Sequence, residues 1–213
     1  MRYRWGSAAW VVGVVQFFVL HGVVESAWAR PYSWAGNNIS DLGNAHCAWQ
    51  PDPEPRYVCS PEHALMNVSF VTLGVLFVAG VLLTGALWRR GAAATASRLL
   101  LAGAGAGFVL AGLAPADAHE NQHVLGALLI MATGNLGLLL SGAALDVPRP
   151  LRWGSGLLGA VALTAFGLFL SHHYLGLGMG GMERVAAFPL LVWAAALGAR
   201  GLAVRGLAVR DAR

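Results

Sequence analysis

The chain reads as an all-α polytopic bundle of six transmembrane helices, one integral membrane domain over residues 1–213 with both termini in the cytoplasm. Of its 213 residues 57% are hydrophobic and only 11% charged, whereas a soluble domain carries charge on about a quarter of its residues. The mean hydropathy is +0.60, and the apolar residues come in blocks of about 17–25, long enough to cross a hydrocarbon core as helices. A closed barrel would instead need short alternating strands, and open sheet edges go unsatisfied in lipid. Many of the 28 glycines fall inside these blocks, where they let helices approach closely.

The first span, about 8–28, follows a basic start, Met1-Arg2-Tyr3-Arg4. Its end, Ala27-Trp28-Ala29-Arg30, imitates a signal-peptide cleavage site. The run is longer than a signal-peptide core, and His21 and Glu25 lie just before the supposed cut, so a retained helix is expected. A long loop over 30–63 leads to the second span, about 64–88. The third, about 99–115, is broken by Pro115, which lets the fourth start at once, about 120–144. The fifth (about 154–171) and sixth (about 185–204) follow, and residues 205–213 form a tail. The repeat Arg200 to Arg210, "RGLAVRGLAVR", is expected as a surface helix or disordered end near anionic lipid.

Orientation comes from arginine, because the chain contains no lysine. Arg2, Arg4, Arg89, Arg90, Arg98, Arg149, Arg152, Arg200, Arg205, Arg210 and Arg213 fall on one side of this arrangement. Only Arg30, Arg56 and Arg184 fall on the other. That bias puts the termini inside a bacterial cytoplasmic membrane. The basic pI of 9.7 therefore reports topology and gives no reason to invoke nucleic acid. Cys47 and Cys59 share the long outer loop, where an oxidising compartment favours a disulfide.

All seven histidines and eight of the ten acids fall on or near the outer side. Ionisable groups at membrane depth usually face a bundle interior or a wet cavity, so a polar, histidine-rich outer cavity is expected. His63 and Asn67 share a helix face, as do His119 and His123. His172 and His173 end the fifth span, with Met179 and Met182 close behind as soft donors suited to copper. His119-Glu120-Asn121-Gln122-His123 spells the H-E-x-x-H of zinc peptidases. Its placement favours another reading: Asp117 as N-cap and Glu120 three residues on make a capping box, which leaves His123 as the histidine facing inward.

Four stretches, "NNISDLGN" (37–44), "NVSFVTLGVLF" (67–77), "PADAHENQHVLGA" (115–127) and "GGMERV" (180–185), resemble a bacterial family of six-helix membrane proteins, the domain of unknown function DUF998. That family is distantly similar to Frag1/DRAM-type membrane proteins. The resemblance covers nearly the whole chain. It implies the fold and draws attention to Ser40, Asp41, Asn67, Pro115 to Asp117, His123, Glu183 and Arg184. A more remote likeness is to membrane hydrolases of the alkaline ceramidase and progestin-receptor type, which set Ser, Asp and three His around zinc. This chain has Ser40, Asp41, His63, His123 and His172/His173 but lacks that group's helix count and late histidine pair.

Two functions follow as expectations. The first is a metal-dependent hydrolase or lipid-modifying enzyme acting on a membrane lipid or lipid-linked substrate at the outer leaflet. There zinc, or less readily copper, is held among His63, His119, His123, His172 and His173. Asp41 or Glu120 handles protons, and Ser40, Asn67, Asp117 and Arg184 bind substrate. The second is a non-catalytic lipid- or partner-binding bundle in which Asp41, His123 and Arg184 form a structural hydrogen-bond network.

Overall fold

The computed structural model describes residues 1–210, the side chains of 204–210 excepted. Among the described residues, six helical stretches are long and apolar enough to cross a membrane. They are α1 (Arg2–Ser26), α2 (His63–Leu83), α3 (Ala92–Leu113), a fourth made of α4 (Glu120–Leu128) and α5 (Asn135–Ala144), α6 (Arg149–Leu170) and α7 (Met179–Arg210). The chain is an integral multi-pass membrane protein. A π-helical turn, Leu129–Gly134, joins α4 to α5. Thr133 Oγ1 donates to Leu129 O at 2.6 Å there, the bond to the i−4 carbonyl that threonine makes inside helices.

Each span packs on its neighbours in sequence, and α7 closes the ring on α1. Lipid offers no hydrophobic drive between helices, so close packing and buried hydrogen bonds must hold them. Trp10 of α1, 1% exposed, does both. Its indole donates to Phe77 O at 3.1 Å and occupies the space that a Cβ at Gly80 would fill. At the end carrying the termini, the 84–91 and 145–148 turns bind each other: Arg89 N–H donates to Ala144 O at 2.9 Å, and Asp146 N–H to Leu87 O at 2.7 Å.

The loop after α1 covers the opposite, distal end. It contains a 3-10 turn, Ile39–Gly43, and a small antiparallel hairpin, β1 (Ala48–Gln50) with β2 (Arg56–Val58). The Cys47–Cys59 disulfide brackets that hairpin, as the loop's two cysteines predict.

The fourth span has the expected limits, 120–144, whereas the others shift. α3 starts at Ala92, because "AAATAS" is good helix former and Arg98 can sit inside the helix by donating to Val81 O at 3.3 Å. α6 starts at Arg149 with Pro150 in its first turn, a position where proline's missing N–H costs nothing. α7 starts at Met179, just after Gly178 with φ +74°. It therefore carries Glu183 and Arg184 inside its first turns, residues that the apolar pattern puts in or at the edge of a loop. α7 also runs on to Arg210, through part of the expected 205–213 tail; residues 211–213 lie outside the described residues.

Candidate functional site

Ser40, His123 and Glu183 come from three different elements and meet at one cavity in the distal half of the bundle. Its remaining lining is apolar, with Phe17, Phe70, Phe108 and Phe188 the largest side chains. The cavity measures about 50 Å³, room for an ordered water or the end of an alkyl chain. It lies where α4 and α7 face each other: α4 rests on α3 and barely touches α6 or α7.

Two of the three polar groups, His123 and Glu183, are held by a backbone partner. His123 Nδ1 lies 2.8 Å from Ala114 O. A carbonyl can only accept, so Nδ1 carries the proton in this contact. Glu183 Oε2 accepts the Ile39 N–H at 2.6 Å, which ties the 3-10 turn to α7 and positions the next residue, Ser40.

Asp41, expected as a proton-handling residue, is 2% exposed and fully engaged. Its Oδ2 accepts from Asn37 Nδ2 at 3.0 Å, Asn38 N–H at 3.1 Å and Arg56 Nε at 2.7 Å. Its Oδ1 accepts from Arg56 Nη2 at 2.9 Å. This is a bidentate ion pair that fixes the loop. Burial works against the Arg56 charge, but the Asp41 contacts outweigh it and hold the guanidinium above its ordinary pKa.

Arg184 is 6% exposed; its two terminal nitrogens are bonded without a carboxylate, while its buried Nε has no hydrogen-bond partner among the described residues. Its Nη1 donates to Trp34 O and Asn37 O, both at 2.9 Å, and to Gly180 O at 2.8 Å. Its Nη2 donates to the Tyr32 hydroxyl, and the guanidinium stands 4.8 Å from the Trp34 ring centroid, a cation–π placement. Burial raises the Tyr32 phenol above its usual pKa, so the hydroxyl stays protonated and donates onward to Asn38 O at 2.8 Å. A Cβ at Gly180 would run into Asn37 O, so only glycine lets α7 come this close to the loop.

The remaining expected residues scatter. Asp117 does not cap α4, whose N-cap is His119 with no side-chain cap bond. Its carboxylate instead takes the Ala45 N–H at 3.0 Å, the His46 N–H at 2.7 Å and the His46 ring at 3.0 Å. The capping box with Glu120 is thus absent, because the distal loop supplies better donors than the helix start. Burial alone would push the Asp117 carboxyl up; these donors outweigh it and hold it below the ordinary carboxylate range. Asn67 Nδ2 donates to Gly43 O at 2.9 Å, and His63 Nδ1 sits 3.1 Å from Ser60 O at the start of α2. His119 and Glu120 are exposed. His172 and His173 are exposed too and turn to Tyr174 Oη and Ser171 O. Among the described residues no three His, Cys, Asp or Glu are grouped to hold a metal ion.

The residues missed from sequence are Glu183 as a cavity wall and Tyr32, Trp34 and Asn37 as the cradle of Arg184. The pairing of Gly178 with a Glu-Arg doublet before an apolar run marks a buried helix start, a signal masked by reading the doublet as loop. No curated protein and no solved structure matches the chain. A family model described as "protein of unknown function (DUF998)" matches residues 11–200 and so takes in every site residue above. The chain, a six-span membrane protein, belongs to the DUF998 family.

Proposed function

We propose that the chain is an outward-facing lipid-binding membrane protein whose distal cavity receives the end of an apolar chain and reads a polar group beside it through Ser40, His123 and Glu183. The observation that carries this is the division of labour among the polar residues. Asp41, Arg56, Asp117 and Arg184 are spent on structural bonds, while Ser40, His123 and Glu183 share an otherwise apolar cavity. A few placed polar groups in an apolar lining are what small-ligand sites present. The outward assignment rests on the arginine asymmetry, and the exceptions to it are engaged. Arg30 lies 4.6 Å from the Tyr57 ring centroid, and Arg56 and Arg184 are tied down as above. A cysteine engineered at Gly91 that is labelled from outside intact cells would reverse the orientation.

The binding test uses a phospholipid with a diazirine at the end of one acyl chain, in proteoliposomes. Crosslinks are expected on His123–Met131 and Glu183–Leu191, and they should fall severalfold in Ala127→Phe, which fills the cavity. They should not fall in Val124→Phe, whose side chain already faces outward (48% exposed). Labelling that ignores Ala127→Phe ends the proposal. A metal-dependent hydrolase is the second reading, favoured by His123 sharing a cavity with Ser40 and Glu183. Metal analysis of chelator-washed protein decides it: under about a tenth of an equivalent of zinc or copper, unchanged by His123→Ala, removes that reading.

A further inference from the structure

A second concavity lies toward the end carrying the termini, in the groove between α5 and α6. It measures about 790 Å³, within the size range of ligand sites. Its floor is bare backbone where Gly142 meets Gly156: a Cβ on Gly142 would stand 3.2 Å from the Gly156 Cα. Leu139, Leu157 and Ala160 line it, and Arg149, Arg152 and Trp153 border it.

Arg152 is held in place, because its Nε donates to Gly142 O at 3.0 Å across the two helices. Neither its terminal nitrogens nor Arg149 has a hydrogen-bond or ion-pair partner among the described residues. Trp153 is 78% exposed, as an aromatic anchored at a membrane interface would be. Of the six spans α6 is the least buried, at 28%, so this face looks onto whatever surrounds the bundle.

We propose that this groove is a binding site for an anionic glycerophospholipid. The phosphodiester sits against Arg149 and Arg152, and an acyl chain runs down the groove over Leu139, Leu157 and Ala160. The chemistry is complementary at both ends: two guanidinium groups without an anionic partner take a phosphate, and an apolar trough with a glycine floor takes a hydrocarbon chain. A second copy of this chain fits less well. A two-fold contact sets the same patch against itself, which would bring four unpaired arginine charges together. Free phosphate would use the arginines and leave the trough unfilled.

The test is native mass spectrometry of the full chain in detergent micelles. It is titrated with phosphatidylglycerol, with phosphatidylcholine of the same acyl chains, and with inorganic phosphate. Phosphatidylglycerol should bind in preference, and Arg149→Gln and Arg152→Gln should each weaken it about fivefold, the double variant about 25-fold. Ala160→Phe, at an exposed position, should weaken it without touching charge. Three outcomes overturn the proposal. One is equal affinity for the two lipids. Another is inorganic phosphate displacing the lipid at equal concentration. The third is a lipid-independent dimer that Ala160→Phe dissociates.

Discussion

Arg56→Gln should cost the folded protein about 3 kcal/mol, although Arg56 lies in a loop outside the bundle. The residue supplies two of the four hydrogen bonds accepted by the Asp41 carboxylate, whose side chain is 3% exposed. Removing one partner of a buried pair typically costs about 3–5 kcal/mol, because a charge is left without compensation. The low end applies because the Asn37 and Asn38 donors remain and the arginine side chain is 14% exposed. Asp41→Asn should cost less, about 1–2 kcal/mol, since it strands only a guanidinium that can turn to water. The double variant loses the pair once, so it should fall about 1.5 kcal/mol short of the sum. The assay is reversible unfolding in mixed micelles with rising dodecyl sulfate, followed by tryptophan fluorescence. A cost under about 1 kcal/mol for Arg56→Gln, or additivity within about 0.5 kcal/mol, would refute a structural role. Asp41 would then return as a candidate for chemistry.

The disulfide acts on the same pair from further out. Cys47→Ser with Cys59→Ser opens a loop with a sequence separation of 12 and should cost about 3 kcal/mol by loop-closure entropy. The same unfolding assay reads it, and the loss should shrink when Arg56→Gln is already present; full additivity counts against the linkage. Asp117 gives a pH signature. Its carboxyl is depressed in the folded state, so its contribution is complete above the unfolded carboxylate value and is lost as pH falls through the lower folded value. Amide exchange at Ala45 and His46, after correction for its intrinsic pH dependence, should therefore lose protection only at pH values below the ordinary carboxylate range. Asp117→Asn should abolish that step, and an unchanged step in the variant refutes the assignment.

Most of the fold was legible because membrane helices announce themselves through length and apolar content, and neither depends on long-range contacts. The limits failed where polar residues sit inside a helix. Arg98 is accepted because a carbonyl of α2 is in reach, and Glu183 and Arg184 because the distal loop arrives to meet them. Neither fact is local in sequence. The site divided the same way. His123 could be picked from its place after Pro115, one turn into a helix. The use of Asp41 and Asp117 could not, because their partners come from 15 residues downstream and 71–72 residues upstream respectively. The H-E-x-x-H spelling carried no geometry, since His119 lies at the N-cap and exposed while His123 turns inward.

The distal loop therefore explains why ionisable residues crowd one end of this chain without forming one catalytic cluster. The disulfide closes the hairpin that presents Arg56; Arg56 grips Asp41; Asp41 and Glu183 hold the turn between them; and that turn delivers Ser40 to the cavity. Arg184 does the corresponding work from α7, gripping the carbonyls of Trp34 and Asn37. A loop without these ties would carry unsatisfied backbone groups over an apolar bundle, each a cost on the order of 1–3 kcal/mol. Charge is concentrated here because a long loop must be anchored to a membrane protein's end, where apolar burial gives little help. The groups left over, on Ser40 and His123, are the ones whose replacement should change ligand binding more than stability; Glu183 also holds the turn, so its replacement should change both.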